Sequence, residues 1–276
     1  MKHSEFEFKT FDGLSLFAQR WQPKNKTKAV VCLVHGMGEH SGRYTHVAAQ
    51  ITEKGYSLIS FDLRGHGQSE GPRGHTPSYE ALLQDISSLL EVVNKQFPQL
   101  PSFLYGHSLG GNLILNHVLR CQPHLKGVIA TDPWLRLAFE PPRFQIILAQ
   151  ITNCIWPSFS QKSGLNTKFL SRDSEVVYTY ENDPLVHDHI SSRMFIGIYQ
   201  SGYWALEHAS EFSLPLLLMH GGDDKIISVK ASHEFAGKIT ENCTLKIWDG
   251  LYHEIHNEPK KKEVFKFLIG WLDKEV

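Results

Sequence analysis

The sequence predicts an α/β fold: a mostly parallel central sheet flanked by helices, interrupted by an inserted helical segment. Three observations predict it. Short, wholly apolar runs such as Ala29-Val30-Val31-Cys32-Leu33-Val34 read as strands buried on both faces, as parallel sheets require. These runs alternate with longer stretches of helical periodicity, the rhythm of βαβ units. The rhythm breaks between residues 133 and 208 and then resumes.

The elements follow in order. Residues 1–22 read as a hairpin: Phe6, Phe8 and Thr10 alternate with Glu5, Glu7 and Lys9, Asp12-Gly13 supplies a turn, and Leu14, Leu16 and Ala18 alternate again. Strands at 29–34 and 57–61 bracket a helix at 44–54. A helix over 78–96 carries Leu82, Leu83, Ile86, Leu89, Leu90 and Val93 at helical spacing. A strand at 102–105, a helix at 109–120 and a strand at 127–130 continue the pattern. The inserted stretch holds Trp134, Phe139, Phe144, Ile146, Ile147, Leu148, Ile151, Ile155, Trp156 and Phe159, with Pro141, Pro142 and Pro157 as breakers, and reads as helical. The core rhythm returns with a strand at 214–219, a helix at 229–238, a strand at 244–248 and a helix at 259–272. The expected division is a core of residues 1–132 and 209–276 and an inserted cap of 133–208, without internal repeats.

Composition narrows the function classes. The 276 residues carry 28 Lys+Arg against 29 Asp+Glu, and a net charge of −1 argues against nucleic acid as a partner, which needs clustered cations. Cys32, Cys121, Cys154 and Cys243 are too scattered for a CxxC motif or zinc knuckle and read as free thiols of a reducing compartment. The first residues lack the apolar core of a signal peptide, and the longest apolar run, Leu214-Pro215-Leu216-Leu217-Leu218-Met219, falls far short of a membrane span. The expectation is a soluble, cytoplasmic protein, peripheral to membranes if the cap's apolar groups face outward.

Gly106-His107-Ser108-Leu109-Gly110 is a Gly-x-Ser-x-Gly motif between an apolar strand and a helix, the context of a nucleophile elbow. Side chains at Gly106 and Gly110 would collide with neighbouring elements in so sharp a turn. A serine needs a base, and the base needs an orienting carboxylate, carried in elbow enzymes in the order Ser, acid, His on loops after later strands. His220-Gly221-Gly222-Asp223-Asp224 follows the strand at 214–219, and Asp249-Gly250-Leu251-Tyr252-His253 follows that at 244–248. His253 is chosen as base, with His256 its local rival. Asp224 is chosen as acid over Asp223, with Asp132 the third candidate. The Leu109 backbone N–H, at a helix start, suits an oxyanion donor, and Met37 in the His35-Gly36-Met37-Gly38 turn suits the second.

At His35-Gly36-Met37-Gly38-Glu39-His40-Ser41-Gly42-Arg43-Tyr44 the chain resembles monoacylglycerol lipases and related lysophospholipases of the serine α/β-hydrolase superfamily. Asp62-Leu63-Arg64-Gly65-His66-Gly67-Gln68-Ser69, Gly106–Gly111, Gly221–Asp224 and Tyr252-His253-Glu254 fall in that family's order and spacing. The resemblance implies an α/β-hydrolase fold, an eight-stranded, mostly parallel core with a mobile cap inserted after the sixth strand. It implies Ser108, Asp224 and His253 as the triad and Met37 and Leu109 as oxyanion donors. It also implies that Glu39, Arg43 and His256 line a polar pocket for a glycerol head. The cap does not match closely, which leaves glyceride and lysophospholipid both open.

The implied activity is hydrolysis of a small lipid ester, a monoacylglycerol, with no metal and no organic cofactor. His253-Glu254-Ile255-His256 lacks the four-residue spacing of a zinc helix, and His187-Asp188-His189 has no partner cluster. His35 and His66 mark turns; His107 reads as a packing residue. The apolar cap suits an acyl chain and, where it faces outward, transient contact with a membrane or micelle. The rivals are a short-chain carboxylesterase or a lysophospholipase with the same triad, a peptidase related to proline iminopeptidases, and a non-catalytic binding protein of the same fold.

Overall fold

The computed structural model describes residues 1–276. Ten strands and eight helices occur in the order β1 (Lys2–Lys9), β2 (Ser15–Gln22), β3 (Val30–Val34), α1 (Thr45–Glu53), β4 (Ser57–Phe61), α2 (Tyr79–Gln96), β5 (Ser102–His107), α3 (Leu109–Cys121), β6 (Gly127–Thr131), α4 (Arg143–Ile155), β7 (Ser160–Lys162), α5 (Ser174–Asn182), β8 (His189–Ser191), α6 (Ser192–Glu207), β9 (Leu216–Gly221), α7 (Val229–Lys238), β10 (Cys243–Trp248) and α8 (Lys261–Glu275). Eight strands form one sheet in the order β1-β2-β4-β3-β5-β6-β9-β10. The β1–β2 hairpin and the β2–β4 pairing are antiparallel, and every other pairing in this sheet is parallel.

Period-two alternation splits the core into two layers. Val30, Cys32 and Val34 of β3, with Leu104, Val128, Ala130, Leu216 and Leu218, pack toward α2, α3, α6 and α7. Val31 and Leu33, with Phe103, Tyr105, Ile129, Leu217 and Met219, pack toward α1 and α8. Because both faces are covered, the central strands have no polar side to show, which is why they read as continuous apolar runs. Helix α2 starts at Ser78, whose side chain accepts the Ala81 N–H at 3.1 Å.

The inserted stretch contains one element pair that periodicity did not reveal. β7 and β8 form a two-stranded antiparallel sheet of three residues each. Both are too short, and β7 too polar, for an alternation to register. The stretch returns to the core through α6, whose Ile198, Ser201, Gly202 and Ala205 are buried. Two buried asparagines of α3 fasten the two ends of this stretch. Asn112 Nδ2 donates to the Trp134 carbonyl at 2.7 Å, and Asn116 Nδ2 donates to the Ser201 carbonyl at 3.1 Å. Helix α4 differs from all the others: none of its residues is buried. No helix is long and apolar enough to cross a membrane.

Candidate active site

Ser108 lies between β5 and α3 with φ 53° and ψ −113°, a backbone conformation that costs a non-glycine residue about 1–3 kcal/mol. The neighbouring glycines make the turn possible. A Cβ on Gly106 would lie 2.4 Å from the Gly110 carbonyl oxygen, and one on Gly110 would lie 1.9 Å from that of Val34. Ser108 occupies the N-cap of α3, yet its side chain makes no capping bond. Its hydroxyl is therefore free to face the cavity above, which it lines.

His253 follows β10 and lines the same cavity. Its Nδ1 lies 2.7 Å from Asp224 Oδ2. A carboxylate only accepts, so Nδ1 carries the proton and Nε2 is left as the basic nitrogen. Asp224 also accepts the Ile226 and Ile227 N–H groups on Oδ1, at 2.7 and 3.1 Å, and His220 Nε2 lies 3.1 Å from Oδ2. Burial would raise this carboxyl, but the neighbouring His253 and the bond from His220 hold it far below its ordinary value. Burial likewise pushes His253 down, but the charge of Asp224 and the hydrogen bond to it prevail and hold the imidazole above its ordinary value.

The other acid candidates occupy different surroundings. Asp223 pairs at the surface with Arg172 of the inserted stretch, at 2.6 Å. Asp132 follows β6 with φ 47° and is fully buried. Its Oδ1 accepts the Gly221 N–H at 2.8 Å, and its Oδ2 has no partner. Burial and then the charge of Asp224 raise its pKa well above the usual carboxylate range. Asp132, His220 and Asp224 bring three ligand atoms within 4.8 Å of one another, as a cation site would. Both ring nitrogens of His220 and both oxygens of Asp224 are already hydrogen-bonded, so a cation would have to displace those bonds.

The loop after β3 is fixed from within. His35 Nε2 accepts the Leu63 N–H at 2.9 Å, so its Nδ1 donates to the Gly36 carbonyl at 2.7 Å. Glu39 Oε1 accepts the Gly36 N–H at 2.6 Å and the Tyr44 hydroxyl at 2.7 Å. These bonds leave the Met37 N–H without a protein acceptor, as is the Leu109 N–H at the first turn of α3. Glu39 also pairs with Arg43, whose guanidinium forks onto Glu254 at 2.8 and 2.9 Å. Burial would push Glu254 up, but Arg43 holds it well below the carboxylate range.

Of the three residues expected around a head group, Glu39 lines the cavity, Arg43 lies behind it, and His256 is buried against Tyr44 (rings 5.1 Å apart) and His107 (4.7 Å). His107 in turn packs 4.8 Å from the His253 ring. Burial lowers both His107 and His256, so each is neutral packing at neutral pH. Motif reading did not single out Glu254, His220 or Tyr180. The first two are marked only by adjacency to motif residues; Tyr180, stacked 4.7 Å from Arg43, had no signal at all.

The cavity measures about 790 Å³. From the start of the insertion and its neighbours it draws Trp134, Leu137, Phe139, Ile146, Phe195 and Ile226, an apolar set. From the segment around α5 and β8 it draws Tyr180, Glu181, Asp183 and His187, a polar set. That segment is tied to the loop after β3: His187 N–H donates to the Gly38 carbonyl at 2.9 Å, and His40 Nε2 lies 2.9 Å from Asp183.

Known proteins resemble this chain along nearly its whole length. Residues 25–260 match the family described as serine aminopeptidase, S33 (Hydrolase_4). A monoacylglycerol lipase of Mycolicibacterium smegmatis is 31% identical over 98% of this chain and 96% of its own. An uncharacterised abhydrolase domain-containing protein of Dictyostelium discoideum is 37% identical over 97% of this chain, which spans 28% of that longer protein. The crystal structure of Paleococcus ferrophilus monoacylglycerol lipase superposes with a TM-score of 0.88 at 32% identity, covering 95% of this chain and 99% of that one. The fold, the elbow and these matches place the chain in the serine aminopeptidase S33 family of α/β-hydrolases, among its monoacylglycerol lipase-like serine esterases.

Proposed function

We propose that the protein hydrolyses monoacylglycerols to fatty acid and glycerol through an acyl-enzyme on Ser108. The observation that carries this reading is a strained, uncapped Ser108 opening into a partly apolar cavity beside His253, whose far nitrogen is held by Asp224. His253 Nε2 takes the Ser108 proton as the hydroxyl attacks the ester carbonyl. The Met37 and Leu109 N–H groups receive the oxyanion, a donor pair of which each member is worth about 3 kcal/mol. Glycerol leaves with the proton from His253, and water activated by the same nitrogen releases the fatty acid. Asp224 holds the imidazole in the useful tautomer and stabilises its charged form.

The apolar lining takes the acyl chain, at about 0.8 kcal/mol per methylene buried. Direct contact with the head group falls to Glu39; Arg43 and His256 support that wall from behind. Residues 133–208 act as the cap over residues 1–132 and 209–276. Within the cap, α6 packs its inner face on α3, and α4 packs on α6, where the Arg193 guanidinium donates to the Asn153 side chain at 2.5 Å. The outward stripe of α4 meets the membrane or micelle surface on which such substrates reside.

The test is hydrolysis of 1-oleoylglycerol, 1-oleoyl-lysophosphatidylcholine and trioleoylglycerol by the wild type and Ser108→Ala. Turnover of the monoacylglycerol by wild type alone is expected. Undiminished turnover by Ser108→Ala rejects the acyl-enzyme, and turnover of the lysophospholipid without the glyceride rejects the substrate.

A further inference from the structure

His220 ends β9 and is completely buried. Its two ring nitrogens have distinct partners. Nδ1 lies 2.7 Å from Ser232 Oγ on α7, and Nε2 lies 3.1 Å from Asp224 Oδ2. An ionised Asp224 only accepts, so Nε2 bears the proton, and Nδ1 accepts from the Ser232 hydroxyl. The oxygen that receives this bond is the one that receives the His253 Nδ1–H at 2.7 Å. Two imidazoles thus share one carboxylate oxygen, while the backbone of Ile226 and Ile227 occupies the other. Asp132 Oδ1 lies 3.8 Å from the same Nε2, so the His220 proton faces two buried acidic side chains.

This arrangement has a consequence for the base. A carboxylate oxygen that already accepts one bond offers less charge to a second donor. Without His220, the whole of Asp224 Oδ2 would act on His253, stabilise its imidazolium and make it a base that stays protonated to higher pH. The carboxylate would also lose one of the four bonds that set its rotation.

We propose that His220 is a positioning residue for the hydrolysis: by donating to Asp224 Oδ2 it fixes the carboxylate that orients His253 and limits how far that carboxylate raises the basicity of the imidazole. The proposal rests on Ser108, Asp224 and His253 being the triad. The groups facing His253 are Asp224 on the loop after β9, His107 on the elbow, Glu254 beside it and Glu39 on the loop after β3. Those facing His220 are Asp224, Asp132 and His253, and Ser232 on α7. None of these groups is itself altered by the replacement of His220.

The experiment measures kcat/KM and kcat for a soluble ester, p-nitrophenyl butyrate, between about pH 5 and about pH 9. It uses the wild type, His220→Leu, His220→Gln, Ser232→Ala and Ser108→Ala. In His220→Leu the rising, acid-side limb of kcat/KM moves up by about half a pH unit or more, because the freed Asp224 oxygen favours the protonated imidazole. In Ser232→Ala, which loosens the tautomer of His220, the limb moves the same way by less. In His220→Gln, whose amide supplies a donor, it returns toward the wild-type position. A His220→Leu limb that is unmoved or lowered, with the rate reduced equally at all pH values, makes His220 a packing residue and overturns the proposal. If His220→Leu does not fold by circular dichroism, Ser232→Ala decides on the same criterion. Activity that survives in Ser108→Ala rejects the triad instead, so the two failures are told apart.

Discussion

The carboxylate of Asp223 sits at the surface 2.6 Å from Arg172, whereas that of Asp224 lies buried beneath two backbone N–H groups and two histidines. Replacing a carboxylate by an amide changes little at the first position, where water screens the pair. At the second it reverses one donor–acceptor relation and leaves His253 in the wrong tautomer. Asp224→Asn is therefore expected to lower kcat about 10³- to 10⁴-fold, and Asp223→Asn less than about threefold. Equal losses in steady-state assays of the two variants would reject the assignment of the acid. The candidates were legible in sequence because each follows an apolar run that must end at the same edge of a parallel sheet. Their bonding partners were not. Arg43 and Glu254 are 211 residues apart, and nothing local in either segment announces the pair.

Helix α4 presents Phe144 (67% exposed), Ile147, Leu148, Ile151 and Ile155 (80%) at spacings of three and four residues, so they share one face. Ile146 and Ala149 line the cavity instead. A helix apolar toward both cavity and solvent is stable in water only as part of a larger structure, and its outer stripe gains from entering lipid. Each large side chain buried fully there contributes about 1.5–3 kcal/mol. The combined variant Ile147→Ser, Leu148→Ser, Ile151→Ser is expected to reduce the fraction bound to phosphatidylcholine vesicles about tenfold or more. Its thermal midpoint should stay near the wild type, because exposed positions shift stability by about 0.5 kcal/mol or less. Undiminished co-sedimentation with vesicles would show that α4 does not carry the contact. The core elements were legible to within about three residues because burial on both faces leaves a strong apolar signal. The same rule fails in the insertion: apolar density there says that groups are large, and not which way they point.

The chain carries sixteen histidines. Burial lowers the pKa of nine of them, while His253 is the one raised. A histidine whose folded pKa is depressed binds a proton first in the unfolded chain, so stability is complete above about pH 6.5 and falls as pH drops toward the folded value. His117, lowered from 6.5 to about 4, removes about 3 kcal/mol by itself once the pH is below both values. His253 opposes this with the opposite sign, but it is one group against nine. The thermal midpoint is expected to fall steadily between about pH 7 and about pH 5, before most carboxylates titrate. A flat midpoint across that window in differential scanning fluorimetry would contradict this.

The seam between α3 and the insertion has a further consequence. Asn112 and Asn116 reach the carbonyl oxygens of residues 134 and 201, which every amino acid possesses. Helix α3 thus makes no demand, through these bonds, on the identity of the side chains it grips. The side chain of Trp134, which lines the cavity, can therefore be exchanged while α3 keeps this hold on its carbonyl.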